Sequence, residues 1–341
     1  MATIHDVAEK AGVSVATVSR VINKIDTVSL KTVEKVKKAI DELDYHPNNL
    51  ARDLRRAESN RILVLLQSIS NPFYATIVKG IEDVAQKHNY SIMLCNTDSD
   101  LIREKNYIDL LAKKVVRGAI LLDSEMTKDE LNVVAEENDL VLCCEYKQGV
   151  KVPHVMIDNY LASKTVAKHL IALGHRRIAL IAGDSHLSST KLRYKGYEDA
   201  LQEAGINTDE NLIYNSETSS FKMGMRAMET ILNTENRPTA VFAMSDVLAI
   251  GAIKSINSKG LCVPDDIAVA GFDGIEFAGV MNPSLTTIVQ PSYDMGCIAM
   301  EMLIKEMKED AKNNREVIIE HELVIRESTV KRFSNIKSQI S

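Results

Sequence analysis

Asp98, Asp123, Glu145, Asp184, Asp246 and Asp273 each stand just after an apolar run in the chain, with Ser245 beside Asp246. Carboxylates and hydroxyls so placed can accept hydrogen bonds from the O–H and N–H groups of a small polar molecule. Each acid can equally cap the helix that follows it. Ser70-Asn71-Pro72-Phe73-Tyr74 follows the first of these runs, and an aromatic pair exposed there can stack on a sugar or base face. Covering the next helix is the alternative role for Phe73. A second chemistry lies near the N-terminus. Arg20 can donate a bidentate pair of hydrogen bonds to guanine, while Val15 and Ala16 offer apolar contact suited to a thymine methyl. Ser14, Thr17, Ser19 and Asn23 have the side chains that hold phosphates and fix register.

These groups need elements to position them. Thr3-x-x-Asp6 reads as a capping box that starts a helix at Ile4, with Ile4, Val7, Ala8 and Ala11 at helical spacing. Gly12 suits a left-handed turn, and Ser14 caps a second helix running from Val15 to about Asn23. Two short helices joined at a glycine make a helix-turn-helix, whose second helix enters the major groove. A third helix is expected from Leu30 to Leu43 with Ser29 as its cap and Lys31, Lys35, Lys37 and Lys38 on the wet side. From Arg61 onward, short apolar runs alternate with amphipathic stretches, the pattern of a parallel sheet with crossover helices. Strands are expected at Ile62 to Leu66, Ser91 to Cys95, Gly118 to Leu122, Val141 to Cys144, Ile178 to Ile181, Ala240 to Ala243 and Ile267 to Ala270. Such sheets bind ligands beyond the carboxyl ends of their strands, which is where the acids and Phe73 fall.

Composition sets bounds. At 341 residues with 45% hydrophobic content the chain can fill two or three cores. The start Met1-Ala2-Thr3-Ile4-His5-Asp6 lacks a signal-peptide pattern and no run reaches a membrane span, so a cytoplasmic location is expected. Cys95, Cys143, Cys144, Cys262 and Cys297 are odd in number and without metal-type spacing, and read as reduced, mostly buried thiols. No cofactor or metal site is expected. A net charge of -6 removes any simple electrostatic case for nucleic acid. Motif and geometry must carry it. An enzyme would need a nucleophile elbow, a phosphate loop, a dinucleotide glycine fingerprint or a metal-spaced histidine pair, and none is found. His169 and His175, six apart, do not share a helix face.

The string from Thr3 to Asn23 resembles the head of the lactose/galactose repressor family of bacterial transcription regulators nearly residue for residue, and the likeness extends over essentially the whole chain. Its landmarks include Asn71-Pro72-Phe73, Gly174-His175-Arg176-Arg177-Ile178, Arg193 with Gly196 and Tyr197, and Gly271-Phe272-Asp273. The Ile157-Asp158-Asn159 run, Phe242 to Ala249 and Gln290-Pro291 lean towards the purine and cytidine repressors. The resemblance implies an all-α helix-turn-helix head plus an α/β periplasmic-binding-protein-like core of two doubly wound parallel-sheet subdomains. It implies a DNA-binding domain at 1–46, a hinge helix and linker at 47–60, an effector and dimerisation core at 61–331, and a short polar tail at 332–341. Within the core, one subdomain would take about 61–159 plus 292–320 and the other about 160–290 plus 321–331. The implied protein is a homodimeric repressor of palindromic operator DNA, controlled by a carbohydrate or nucleoside. A free binding protein, or a regulator acting mainly as an activator, is the alternative.

Val15, Ala16 and Arg20 match the family's specificity positions. Thr3, Ser14, Thr17, Ser19, Asn23, Asn48 and Ala51 would contact DNA alongside them, and Leu54 matches the leucine that enters the minor groove. Arg193 and Asp273 would clamp the effector, with Phe73, Glu145, Ser245 and Asp246 in the same cleft. One position departs. Family members often carry an aromatic residue where this chain has Ser219, which leaves the stacking partner, and so a sugar or a nucleoside, open.

Overall fold

The computed structural model describes residues 2–22, 28–45, 59–308 and 315–330. The chain divides into two units, Met1–Glu58 and Ser59–Ser341. The first contains α1 (Ile4–Ala11), α2 (Val15–Ile22) and α3 (Leu30–Glu42). The Thr3 capping box forms as expected, and Gly12 ends α1 at φ 65, a backbone region that costs glycine nothing. Ser14 caps α2 by accepting from the Thr17 N–H at 3.2 Å. Ser29 does not cap α3 with its side chain, since its hydroxyl pairs with that of Thr32 at 2.9 Å. Val7, Ala8, Ala11, Val18, Val36 and Ala39 form the core of the unit, so small and β-branched residues meet where the three helices touch.

Two six-stranded sheets build the second unit. The first contains β1 (Arg61–Leu66), β2 (Ser91–Asn96), β3 (Gly118–Leu121), β4 (Asp139–Cys143), β5 (His154–Ile157) and β11 (Glu316–Ile319), in the order β11-β5-β4-β3-β1-β2. The second contains β6 (Ile178–Ala182), β7 (Ile213–Asn215), β8 (Ala240–Ala243), β9 (Ala268–Asp273), β10 (Thr286–Val289) and β12 (Glu322–Val324), in the order β12-β10-β9-β8-β6-β7. Every pairing is parallel except β10 with β12. Parallel pairing demands crossovers. Within the first sheet they are α4 (Pro72–Lys87), α5 (Leu101–Ala112) and α6 (Lys128–Glu137), and within the second α8 (Ser188–Glu203), α9 (Phe221–Leu232), α10 (Asp246–Ser258) and α11 (Glu276–Val280), while α7 (Asn159–Ala172) and α12 (Ser292–Glu306) lead from one sheet to the other. The central strands are buried on both faces, which is why β1, β3, β6 and β8 read as unbroken apolar runs.

Helix pairs close on the sheets through glycine contacts. A Cβ at Gly296 of α12 would lie 2.0 Å from the Ile77 carbonyl oxygen of α4, and one at Gly196 of α8 would lie 2.3 Å from that of Tyr160 in α7. Gly296→Ala should therefore force α4 and α12 apart and destabilise the unit by about 1–3 kcal/mol, the usual cost of overpacking. Gly279→Ala, whose nearest neighbour is Arg326 Nη2 at 4.0 Å, serves as the control. Denaturant midpoints check both, and equal midpoints would rule out the steric account.

Candidate functional site

In the first unit, Ala16 and Arg20 are exposed while Val15, Thr17 and Ser19 are half-buried. Val15 packs partly against the three-helix core, so only part of its side chain is open to a partner. The Ser14 and Thr17 hydroxyls bond one another at 2.9 Å, and the Thr3 hydroxyl donates to Asp6 at 2.9 Å. Local capping thus fixes these hydroxyls at the heads of α1 and α2. Asn23, Asn48, Ala51 and Leu54 lie outside the described residues.

In the second unit a cavity of about 60 Å³ opens where the carboxyl ends of the two sheets face one another. Asp123 after β3 and Glu145 after β4 enter it from the first sheet, with Phe73 and Tyr74 at the head of α4. Arg193 of α8, Ser245 after β8 and Asp273 at the end of β9 enter from the second. The structure thus gathers Phe73, Glu145, Arg193, Ser245 and Asp273 in one place. Phe73 is 6% exposed, so it is not the open aromatic expected; it covers the head of α4 and borders the cavity.

Among the described residues Arg193 is the only cation lining the cavity, and its guanidinium is held on several sides. Nε donates to Asn159 Oδ1 at 2.8 Å and Nη1 donates to the Met244 carbonyl at 2.7 Å. The ring of Phe272 lies beneath it, 3.7 Å from Cζ to the centroid, a stacking that a delocalised planar cation allows. Asp273 Oδ1 sits 4.0 Å from Nη1 and accepts from Gln290 Nε2 at 2.9 Å. Burial draws the Arg193 pKa down, against the pull of Asp273 and Glu145.

Acids outnumber that cation. Burial pushes Asp123 up to about 7 against the hydrogen bond it receives from Tyr74, and Asp273 up to about 7 against the pull of Arg193. Glu145 is likewise raised by burial. Two cavity residues hold left-handed backbone that non-glycine residues seldom adopt, Cys144 at φ 76 and Asp273 at φ 116. Strain of this kind persists where the surroundings over-determine it, and it clusters at ligand sites.

Several expectations change. Asp246 does not line the cavity. Its carboxylate turns beneath β9, accepting from the Thr287 hydroxyl at 2.6 Å and the Ile275 N–H at 2.9 Å, and burial with the neighbouring Asp273 pushes it up to about 8. Gly271 makes room for it, since a Cβ there would stand 2.3 Å from Asp246 Oδ1. Asp98 is an exposed partner of Arg103, and Asp184 lines the cavity while accepting from the His186 N–H at 2.9 Å. Ser219 lines the cavity and Phe221 is 43% exposed outside it, so that wall offers a hydroxyl rather than a ring. Of the five thiols only Cys143 is buried; Cys95, Cys144 and Cys297 are half-buried and Cys262 is exposed. Asn159 and Gln290, which orient Arg193 and Asp273, were not anticipated individually, although both stand in runs that carried the family likeness.

A helix-turn-helix unit joined to a two-sheet core with a polar cavity at its strand ends defines a ligand-responsive DNA-binding protein. Residues 3–48 match the bacterial regulatory proteins, lacI family, and residues 167–329 match the periplasmic binding protein-like domain. The HTH-type transcriptional regulator RegA of Clostridium saccharobutylicum is 41% identical, over 97% of this chain and 100% of its own length. The HTH-type transcriptional repressor CytR of Escherichia coli (strain K12) is 37% identical over 96% of each. The structure of the Lac repressor dimer bound to operator and the anti-inducer ONPF superposes with a TM-score of 0.86 at 29% identity, covering 96% of this chain and 99% of that one. The chain belongs to the lacI family of bacterial regulatory proteins, and it is a DNA-binding transcription regulator with a small-molecule effector core.

Proposed function

We propose that the chain is a repressor that binds a palindromic operator as a cytoplasmic homodimer, and that a neutral, donor-rich effector in the cavity controls that binding. Residues 1–46 read DNA, 47–60 link, and 61–331 sense. One helix-turn-helix reads a half-site, so a palindrome calls for a symmetric pair. Ala16, Arg20 and the open part of Val15 face the bases, with Thr3, Ser14, Thr17 and Ser19 on the backbone; Asn23, Asn48, Ala51 and Leu54 complete the DNA contacts. Phe73, Glu145, Arg193, Ser245 and Asp273 contact the effector, and no catalysis is assigned to them.

The observation that carries the effector class is the excess of carboxyl groups: Asp123, Glu145 and Asp273 face one arginine already engaged by Asn159 and Met244. A phosphorylated ligand would add anions to an acid-rich site. A free sugar or nucleoside would instead donate hydroxyls and N–H groups to it. Thermal-shift screening with sugars, sugar phosphates and nucleosides tests this, because a ligand that prefers the folded state raises apparent stability. Fluorescence anisotropy on inverted-repeat DNA, with and without each hit, tests the repressor reading. Stabilisation by sugar phosphates alone, or indifference to every inverted repeat at low salt, would overturn it.

Proton linkage gives a further expectation. An effector that donates to Asp273 favours its ionised form, and that form grows as pH rises through about 7. Effector affinity should therefore strengthen from about pH 6 to about pH 8 with protons released on binding. Calorimetry in two buffers of different ionisation enthalpy measures the release, and proton uptake would contradict a donor to Asp273.

A further inference from the structure

Helices facing the cavity mostly carry their own N-caps: Asn71 accepts at the head of α4, Asp158 at α7, Ser220 at α9 and Ser245 at α10. Helix α8 is different. Its N-cap position is Leu187, whose side chain makes no capping bond. The cap comes instead from the opposite sheet: Glu145, just after β4, accepts from the Ser188 N–H at 3.0 Å and from the Ser189 N–H at 3.2 and 3.3 Å. The strained φ of 76 at Cys144 precedes it. Glu145 is 6% exposed, so these bonds form out of water, where N–H donors left without a partner are costly.

We propose that Glu145 is a cross-subdomain latch, capping α8 from the facing sheet only while the two halves of the core are closed. Separating the halves uncovers the head of the helix that carries Arg193. The cavity of about 60 Å³ is far below the roughly 300 Å³ at which small-molecule sites begin. An effector of sugar or nucleoside size has to undo the latch to enter, so latch strength sets how readily the regulator responds. This deepens the effector-site reading and depends on it for its biological meaning, although the test needs neither effector nor DNA.

The full chain supplies two native reporters. Hydrogen exchange at the Ser188 and Ser189 amides reads the cap, and alkylation of Cys144, which lines the cavity, reads separation of the halves. Exposed Cys262 is the internal control. Glu145→Ala should speed exchange at both amides by roughly 2- to 30-fold, the population change that loss of an N-cap brings. Alkylation of Cys144 should accelerate with it, at an unchanged Cys262 rate. Adding Leu187→Asp supplies a cap from α8 itself, so the double variant should regain protection at the Ser189 amide while Cys144 stays reactive. Glu145→Gln, which keeps the size and one acceptor, should fall between, and it replaces the alanine variant if that fails to fold. Wild-type exchange and wild-type Cys144 reactivity in Glu145→Ala or Glu145→Gln would overturn the latch, as would a double variant that restores both together. A failed effector screen would sink the effector reading and leave this result standing.

Discussion

Arg193→Ala should weaken effector binding by on the order of 2–5 kcal/mol, the range for truncating one member of a buried, hydrogen-bonded charge pair. The side chain is 13% exposed, stacks on Phe272, and spends Nε and Nη1 on Asn159 and the Met244 carbonyl. Its loss removes the cation that holds Asp273 down, so that carboxyl protonates at still higher pH and fewer molecules offer an ionised acceptor at neutrality. Arg193→Lys should recover little, because an ammonium neither stacks flat on the Phe272 ring nor spans two acceptors in one plane. Calorimetry with a screened effector measures the loss, and operator binding without effector should persist. An Arg193→Ala affinity within about threefold of wild type, less than 1 kcal/mol, would remove Arg193 from the site.

The arrangement behind that prediction was partly legible in the sequence. Apolar runs announced β1, β2, β3, β4, β6, β8 and β9, most plainly where a strand is buried on both faces and admits little polarity. Strands β5, β7, β10, β11 and β12 went unannounced for a physical reason: they are three or four residues long, several begin with polar residues, and two belong to the chain's late return to the sheets. The acids were placed correctly after strands, yet strand order decided which ones meet. Asp98 follows β2, the edge of its sheet, while Asp123 and Glu145 follow the interior strands β3 and β4. Order of this kind depends on pairing between distant segments, which local periodicity does not encode. Asp246 fails for a different reason. It is the first residue of α10, and the turn that lets Ser245 reach the cavity carries the next side chain under β9. Sequence also located Glu145 without its partner, since its bonds to Ser188 and Ser189 span more than forty positions.

Arg20→Ala should lower affinity for the specific operator by about 1–3 kcal/mol per half-site and relax base preference at one position in each. The electrostatics of the unit make this test sharp. Among the first sixty residues, ten Lys and Arg face nine Asp and Glu, so diffuse attraction to phosphate supplies little. Lys10 is taken up by Glu42 at 2.8 Å, and Lys31, Lys35, Lys37 and Lys38 stand on the exposed side of α3. Arg20 is exposed on α2, two positions beyond buried Val18, and is free of ion pairs among the described residues. Because a symmetric dimer presents two copies, and changes at well-separated sites add, the loss on a full palindrome should be roughly twice that on one half-site. Arg20→Lys keeps the charge but not the paired donors, so it should retain affinity for random DNA while losing preference for guanine. Anisotropy titrations on operator, single-base variants and random duplex, each at two salt concentrations, separate these effects. Equal weakening on all three DNAs, with a salt slope reduced by about one, would make Arg20 a phosphate contact and pass sequence reading to Ala16 and its neighbours.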